Sequence, residues 1–349
     1  MYSKKKYAII IVTLLILFIS FKFNQSKSSA SVSTAKIFSE SSIEVENSTI
    51  EVKTTSPLVK KKVTPAIAKN SNVLAIESVA LIKPFKCDIA PDQDMVKQVQ
   101  QTLDSYSHIK PLNIKKHKID NTLSIRVFSQ DLPINFSENI DKKLWLILEF
   151  YEDWFSLKLK NKMTLNLVVL PSLSGYSDFI STLSIDSTNS QGLFWANTNF
   201  AFAAYRNEQQ VEQTIIHEVV HALNFYLVGY TARWLTEGLA DYFKTINYYI
   251  DKDGTYRYHF GLPKLKNQNR PLAISQLIAL EEAWDSDQRD HLYSSAFELV
   301  EHLIAHKDER NIIRHLLHKE ALRPCTKLDT SDYQNLIDEN IPNLSTQFE

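Results

Sequence analysis

A chain of 349 residues with 44% apolar and 23% charged residues is long enough to bury a sizeable core and still leave length for tails. Its 39 Lys and Arg nearly cancel its 40 Asp and Glu, so it lacks the broad basic face that a phosphate backbone requires, and nucleic acid is not an expected partner. Its two cysteines, Cys87 and Cys325, are too far apart for a Cys-x-x-Cys metal site.

Lys4, Lys5 and Lys6 precede an apolar run from Tyr7 to Phe21, and Lys22 and the polar FNQSKSSA follow. A basic start, an apolar stretch and a polar exit make the layout of an export signal. Residues 1–23 therefore read as a signal-anchor or a signal peptide. The small-residue site at Ser28-Ser29-Ala30 is a soft one, which favours the uncleaved anchor. Either way the lysines stay cytoplasmic and the remainder is exported to the extracytoplasmic, periplasmic side, held at the membrane by the uncleaved segment. Residues 24–80, rich in Ser, Thr and Lys and without periodicity, read as a flexible tether. A folded domain is expected over 81–349. In an exported chain Cys87 and Cys325 are expected to be bridged, clamping the two ends of that domain.

Within it, residues 91–106 have helical spacing, with Asp92 or Asp94 near the start. Leu123, Ile125 and Val127 alternate as in a strand over 122–130. Residues 137–159 repeat apolar side chains at helical spacing, and 163–172 is a β-rich run ended by Pro171. A helix is expected around 176–183 and an extended segment over 192–205. YRYHFG (256–261) reads as a hairpin or loop. Residues 274–280, 292–306 and 309–322 are helical in pattern. Strands early and helices late predict an α+β fold, with a small mixed sheet beside one helix and a mostly helical C-terminal part.

The chemistry concentrates in TIIHEVVHALNFYLVGYTARWLTEGLADYF, residues 214–243. Residues i and i+4 share a helix face, so the imidazoles of His217 and His221 reach one metal ion. Glu218 is offset by about 100° and lies over the open coordination position without ligating. This is the H-E-x-x-H arrangement, in which the carboxylate takes a proton from water at the metal. A catalytic zinc needs a third protein ligand. Glu237 offers one from a second helix begun near Thr231 or Thr236, after a turn at Gly229, and Asp241 sits one turn further on the same face. The plain alternative is two packed helices whose histidines are satisfied by hydrogen bonds.

H-E-x-x-H followed by a helix bearing W-L-x-E-G-x-A-x-Y/F resembles the gluzincin zinc metallopeptidases, particularly the peptidase MA-like group. The likeness is strong over 214–243 and looser from about 163 to 306. It implies one zinc ion held by His217, His221 and Glu237, with Glu218 as general base and Asp241 supporting a ligand histidine. It also implies a peptide or protein substrate. The metzincin pattern is excluded, because it requires glycine and histidine where this chain has Asn224 and Leu227.

Tyr293 is the candidate oxyanion donor, with His291 as a rival and an amphipathic core tyrosine as the plain alternative. Trp195, Ala196 and Asn197 would border the cleft if the strand before the zinc helix pairs with substrate; a structural hairpin is the equal alternative. His302 and His306 repeat the i, i+4 spacing, but Leu303 occupies the position of the base. These histidines, and His315 with His318, read as solvated helix faces. A non-enzymatic binding or assembly protein of the cell envelope built on the same scaffold is the alternative function.

Overall fold

The structure, a computed structural model, describes residues 92–340 apart from 134, 187–189, 253, 255 and 262–270. The expected signal-anchor, the tether and Cys87 lie outside the described residues. Among those described, no helix is long and apolar enough to cross a membrane.

The fold is α+β. Its elements in order are α1 (Gln93–Ile109), β1 (Asn113–Lys118), β2 (Leu123–Ser129), α2 (Phe136–Phe155), β3 (Met163–Leu170), α3 (Leu173–Thr182), β4 (Gly192–Trp195) and β5 (Phe200–Ala204). There follow α4 (Glu208–Leu227), α5 (Arg233–Phe243), β6 (Ile246–Ile250), β7 (Tyr256–Phe260), α6 (Ile274–Ala279), α7 (Arg289–Ala305), α8 (Arg310–Ala321) and α9 (Thr330–Asn340). A five-stranded mixed sheet has the order β1-β2-β3-β5-β4, and β6 and β7 form a separate hairpin. Strands β2, β3 and β5 run parallel at the centre, while β1 and β4 are antiparallel edges.

Period-2 alternation divides the core into two layers. Leu123, Ile125, Leu165, Leu167, Val169, Ala201 and Ala203 face the larger layer, with α2, α4, α5, α7 and α8. Phe128, Val168, Leu170, Phe200 and Phe202 face the smaller one, under α1 and α3. Strand β5, which packs on α4, presents Ala201 and Ala203 on its side and Phe200 and Phe202 on the other. Small side chains let a helix lie close on a sheet, and α4 carries Ile215, Ile216, Val219 and Val220, all fully buried.

Helix α4 is apolar on most sides, as a central helix should be. Asn207 caps its start, accepting from the Gln210 N–H at 2.9 Å. Its end is set by Gly229, at φ +99°, where a Cβ would lie 2.3 Å from the Pro324 carbonyl oxygen. Only glycine suits that turn. The next N–H, of Tyr230, donates to the same carbonyl at 3.0 Å.

Helix α5 begins otherwise than expected. Neither Thr231 nor Thr236 caps it; Ala232 occupies the N-cap and has no side chain to offer. The Glu281 carboxylate instead accepts from the Arg233 N–H at 3.1 and 3.2 Å, a cap supplied from distant sequence. Helix α9 adds a second tie. The Tyr333 hydroxyl oxygen accepts from the Ala232 N–H at 3.1 Å, and that hydroxyl also bonds Glu320. Glu320 is fully buried and accepts from the Leu328 N–H at 2.9 Å.

Burial pushes the Glu320 carboxyl up to about 8, and the backbone donors at Leu328 and Ala232 only partly oppose it. A folded-state value above the unfolded one means that folding binds a proton. The contribution is fully present below about pH 4.5 and is lost as pH rises through about 8. Thermal melts of the wild type should therefore show falling stability between these limits, by roughly 5 kcal/mol at most at about 1.4 kcal/mol per pH unit. Glu320→Gln mimics the protonated acid and should flatten that slope; an equal slope in both proteins would refute the assignment.

Candidate metal centre

His217 and His221 lie one turn apart in the buried middle of α4, and Glu237 lies in the first half of α5. The turn at Gly229 brings the two helices together, and three ligand atoms meet. His217 Nε2 and His221 Nε2 are 2.9 Å apart. Glu237 Oε2 is 3.3 Å from the first and 3.4 Å from the second. A tetrahedral ion with bonds of about 2.0–2.1 Å sets its ligand atoms about 3.3–3.4 Å apart. Glu237 Oε2 is buried and accepts no well-aligned hydrogen bond, the condition of a carboxylate oxygen that suits a cation. The three residues thus form a group that could hold a metal ion.

The surroundings fix the imidazoles. His217 Nδ1 lies 2.8 Å from Asp241 Oδ1. A proton held there on Nδ1 leaves the Nε2 lone pair facing the shared point. Lys244 Nζ donates to the same Asp241 oxygen, so the carboxylate is tied from both sides. His221 Nδ1 lies 3.4 Å from Thr236 Oγ1, which also accepts from Asn224 Nδ2 at 3.2 Å. Asn224 in turn accepts from the buried Tyr151 hydroxyl at 2.6 Å. A polar chain through α2, α4 and α5 therefore reaches the second imidazole.

Charge at the site is strongly biased. Burial alone would lower the His217 imidazole, but the close carboxylates of Asp241 and Glu237 outweigh it and push the pKa up to about 10. Burial would likewise raise the Glu237 carboxyl, yet His221 and His217 hold it well below the usual carboxylate range. Without a metal, the proton on His217 compensates the buried carboxylates. A divalent cation meets the same demand.

Glu218 does not belong to the ligand trio. Its carboxyl is raised by burial, with the two histidines opposing and Glu237 reinforcing the shift, and it accepts a backbone hydrogen bond from Phe194. Phe194 is in β4, the edge of the sheet. A Cβ on Gly192 in the same strand would lie 2.4 Å from Glu218 Oε1. The strand thus holds Glu218 by one backbone donor and a missing side chain.

His217, His221, Glu237, Glu218, Asp241 and Lys244 open onto one cleft of about 1660 Å³. Tyr293, early in the second turn of α7, lines it, and His291 does not. Burial raises the Tyr293 phenol and Glu237 adds to the rise, so the hydroxyl stays protonated and able to donate. Its ring meets Trp284 edge-on at 5.1 Å, and the Arg289 guanidinium lies over it at 5.4 Å. Of the three expected cleft-strand residues only Ala196 reaches the cleft; Gln191, Gly192, Leu193 and Phe194 line it instead. Trp195 packs against the smaller core layer, and the Asn197 carbonyl accepts from the Asp92 N–H at 2.6 Å. The strand meets the cleft earlier than expected because β4 ends at Trp195 in a short 3-10 turn. Cys325 is disulfide-bonded and lies on the cleft wall with Thr326 and Lys327.

Sequence reasoning missed Gly192, Phe194, Lys244 and Arg233. Arg233 lies with its Nε 3.8 Å from Glu237 Oε1, while the Asp285 carboxylate accepts two bonds from its guanidinium, at 2.9 and 3.1 Å. No periodicity marks such residues; only Gly192, one of six glycines in the chain, carried a sequence signal. No protein-family model matches the chain, and no curated protein matches it significantly.

Asp241→Asn is nearly isosteric and removes the charge beside His217 Nδ1. Its divalent-metal affinity should fall by about 10–100-fold in a competition against a fluorescent chelator. An unchanged affinity would mean that Asp241 does not support the ligand.

Proposed function

We propose that this protein is a zinc metallopeptidase of gluzincin type. The convergence of His217, His221 and Glu237 with Glu218 beside them carries the reading. His and carboxylate donors in a three-residue set suit zinc and leave one coordination position open. When bound, zinc acts as a Lewis acid that acidifies water and polarises a carbonyl.

The chain's own residues supply the rest. Glu218 takes the proton of the attacking water and passes it to the leaving amine nitrogen. Its raised pKa favours a carboxyl that can hold that proton between the two steps. Tyr293 donates its hydroxyl proton as a hydrogen bond to the developing oxyanion. Strand β4 is the edge of the sheet, and its backbone groups beyond the Phe194 N–H that serves Glu218 would support an extended peptide, a pairing that reads no particular side chain. An open cleft suits a chain that enters from outside the protein. Export and tethering by the N-terminal segment would place this action outside the cytoplasm, at the membrane. A binding protein on the same scaffold would not need Glu218 or its support by β4, and so is the weaker reading.

The decisive comparison uses full-length wild type, Glu218→Gln and Glu237→Ala, assayed for zinc by atomic emission and for cleavage of a mixed peptide library. Glu218→Gln should keep zinc and lose about 10²–10⁴-fold in turnover. Glu237→Ala should lose the ion held by His217 and His221 together with cleavage. Zinc-loaded wild type that cleaves no peptide, while capturing an unprocessed partner equally well with and without Glu218, would move the assignment to binding.

Gly192→Ala provides an independent check. Its methyl group would displace Glu218, and a shift near 1 Å costs about 100-fold. The loss should fall on kcat with zinc content unchanged. A variant with wild-type kcat would show that β4 does not position the base.

A further inference from the structure

The second histidine pair does not lie on an idle helix face. His302 is on the last turn of α7, His306 follows the helix, and Glu309 is the residue before α8. The turn between the helices folds all three together. Glu309 Oε2 lies 3.2 Å from His302 Nε2 and 3.4 Å from His306 Nδ1. At the first site the corresponding separations are 3.3 and 3.4 Å. The ring centroids are 4.6 Å apart here and 4.5 Å there. Glu309 Oε2, like Glu237 Oε2, is buried and accepts no well-aligned hydrogen bond.

From this gathering of ligand atoms, similar in its separations though with the rings tilted at 48° rather than 83°, we infer a second metal site, formed by His302, His306 and Glu309, for a borderline divalent ion such as zinc or nickel. Imidazole and carboxylate donors select that class over magnesium or calcium, which favour all-oxygen sets. The His306 ring is half exposed, with 56% of its side chain accessible, against 24% for each of the other two. Water therefore reaches the site and completes the coordination. His306 Nδ1 also lies 2.9 Å from the His302 carbonyl oxygen, to which its proton is directed in the metal-free protein. Binding through that nitrogen displaces the proton.

The site is not hydrolytic. Leu303 follows His302, so no carboxylate stands where Glu218 stands in α4. Its effect is mechanical: an ion there joins the end of α7 to the start of α8. Helix α7 carries Tyr293 at its other end and packs on α5, so the second site braces the wall of the cleft.

The test counts ions on the full-length chain, stripped with a chelator, reloaded with zinc and separated by gel filtration. Wild type should hold two zinc ions per chain, His302→Ala one and His217→Ala one. Glu309→Gln, nearly isosteric, guards against a folding artefact and should also hold one, with an unchanged circular dichroism spectrum. A wild type that holds one ion, lost in His217→Ala and kept in His302→Ala, would overturn the inference and leave the peptidase reading standing. One ion lost in His302→Ala and kept in His217→Ala would support the inference and remove the peptidase reading. His302→Ala and Glu309→Gln that both hold as much zinc as wild type would also overturn it.

Discussion

Everything at the candidate metal centre depends on how α5 is held against α4. The histidines are set by helical spacing within one element, but Glu237 comes from another, and its carboxylate must arrive within hydrogen-bonding distance of two imidazoles. A buried carboxylate beside buried imidazoles is stable only with close compensation. The fold secures that approach at the start of α5. Gly229 turns the chain against Pro324, Glu281 caps the Arg233 N–H, and the Tyr333 hydroxyl takes the Ala232 N–H. All three ties come from sequence far downstream of the histidines, so the C-terminal helices are part of the site's construction.

The edge strand has a comparable double role. One face of the sheet supports α4 through small alanines, while β4 reaches over Glu218 with a glycine and a backbone donor. A residue that accepts and returns a proton works best when it cannot rotate away. The same strand is the edge on which an extended peptide would pair. In the proposed mechanism, placement of the base and placement of the substrate would therefore share one element, which would tie their geometry together.

The three carboxylates Glu218, Glu237 and Asp241 respond differently to the same burial. Glu237 and Asp241 are held low by cationic and imidazole partners, whereas Glu218 is raised. Lys244 and His217 hold Asp241 low, and His221 and His217 hold Glu237 low, while burial dominates at Glu218. Divergent environments for neighbouring carboxylates are the usual way in which ligand and acid–base roles are kept apart.

The sequence by itself determined the elements whose reason is local. Helical periodicity placed α1, α2, α7 and α8 to within a few residues, alternation placed β2, and a β-rich run ended by Pro171 placed β3. The i, i+4 histidines, the adjoining glutamate and the glycine turn were legible because each is a matter of spacing along one chain segment. Strand β1, whose residues Asn113–Lys118 are nearly all exposed and polar, had no apolar alternation to reveal it; pairing with β2 makes it a strand. Helix α9 was also unmarked, since its reason is the burial of Tyr333 against the start of α5. Tertiary structure alone decided that Glu237 and Asp241 reach opposite nitrogens of His217, that Glu281 rather than Thr231 or Thr236 caps α5, and that Gly192 lies against Glu218. It also turned His302, His306 and Glu309 from a solvated face into a cluster. Such contacts join residues far apart in the chain or across a turn, where the reach of a side chain depends on packing that no local pattern encodes.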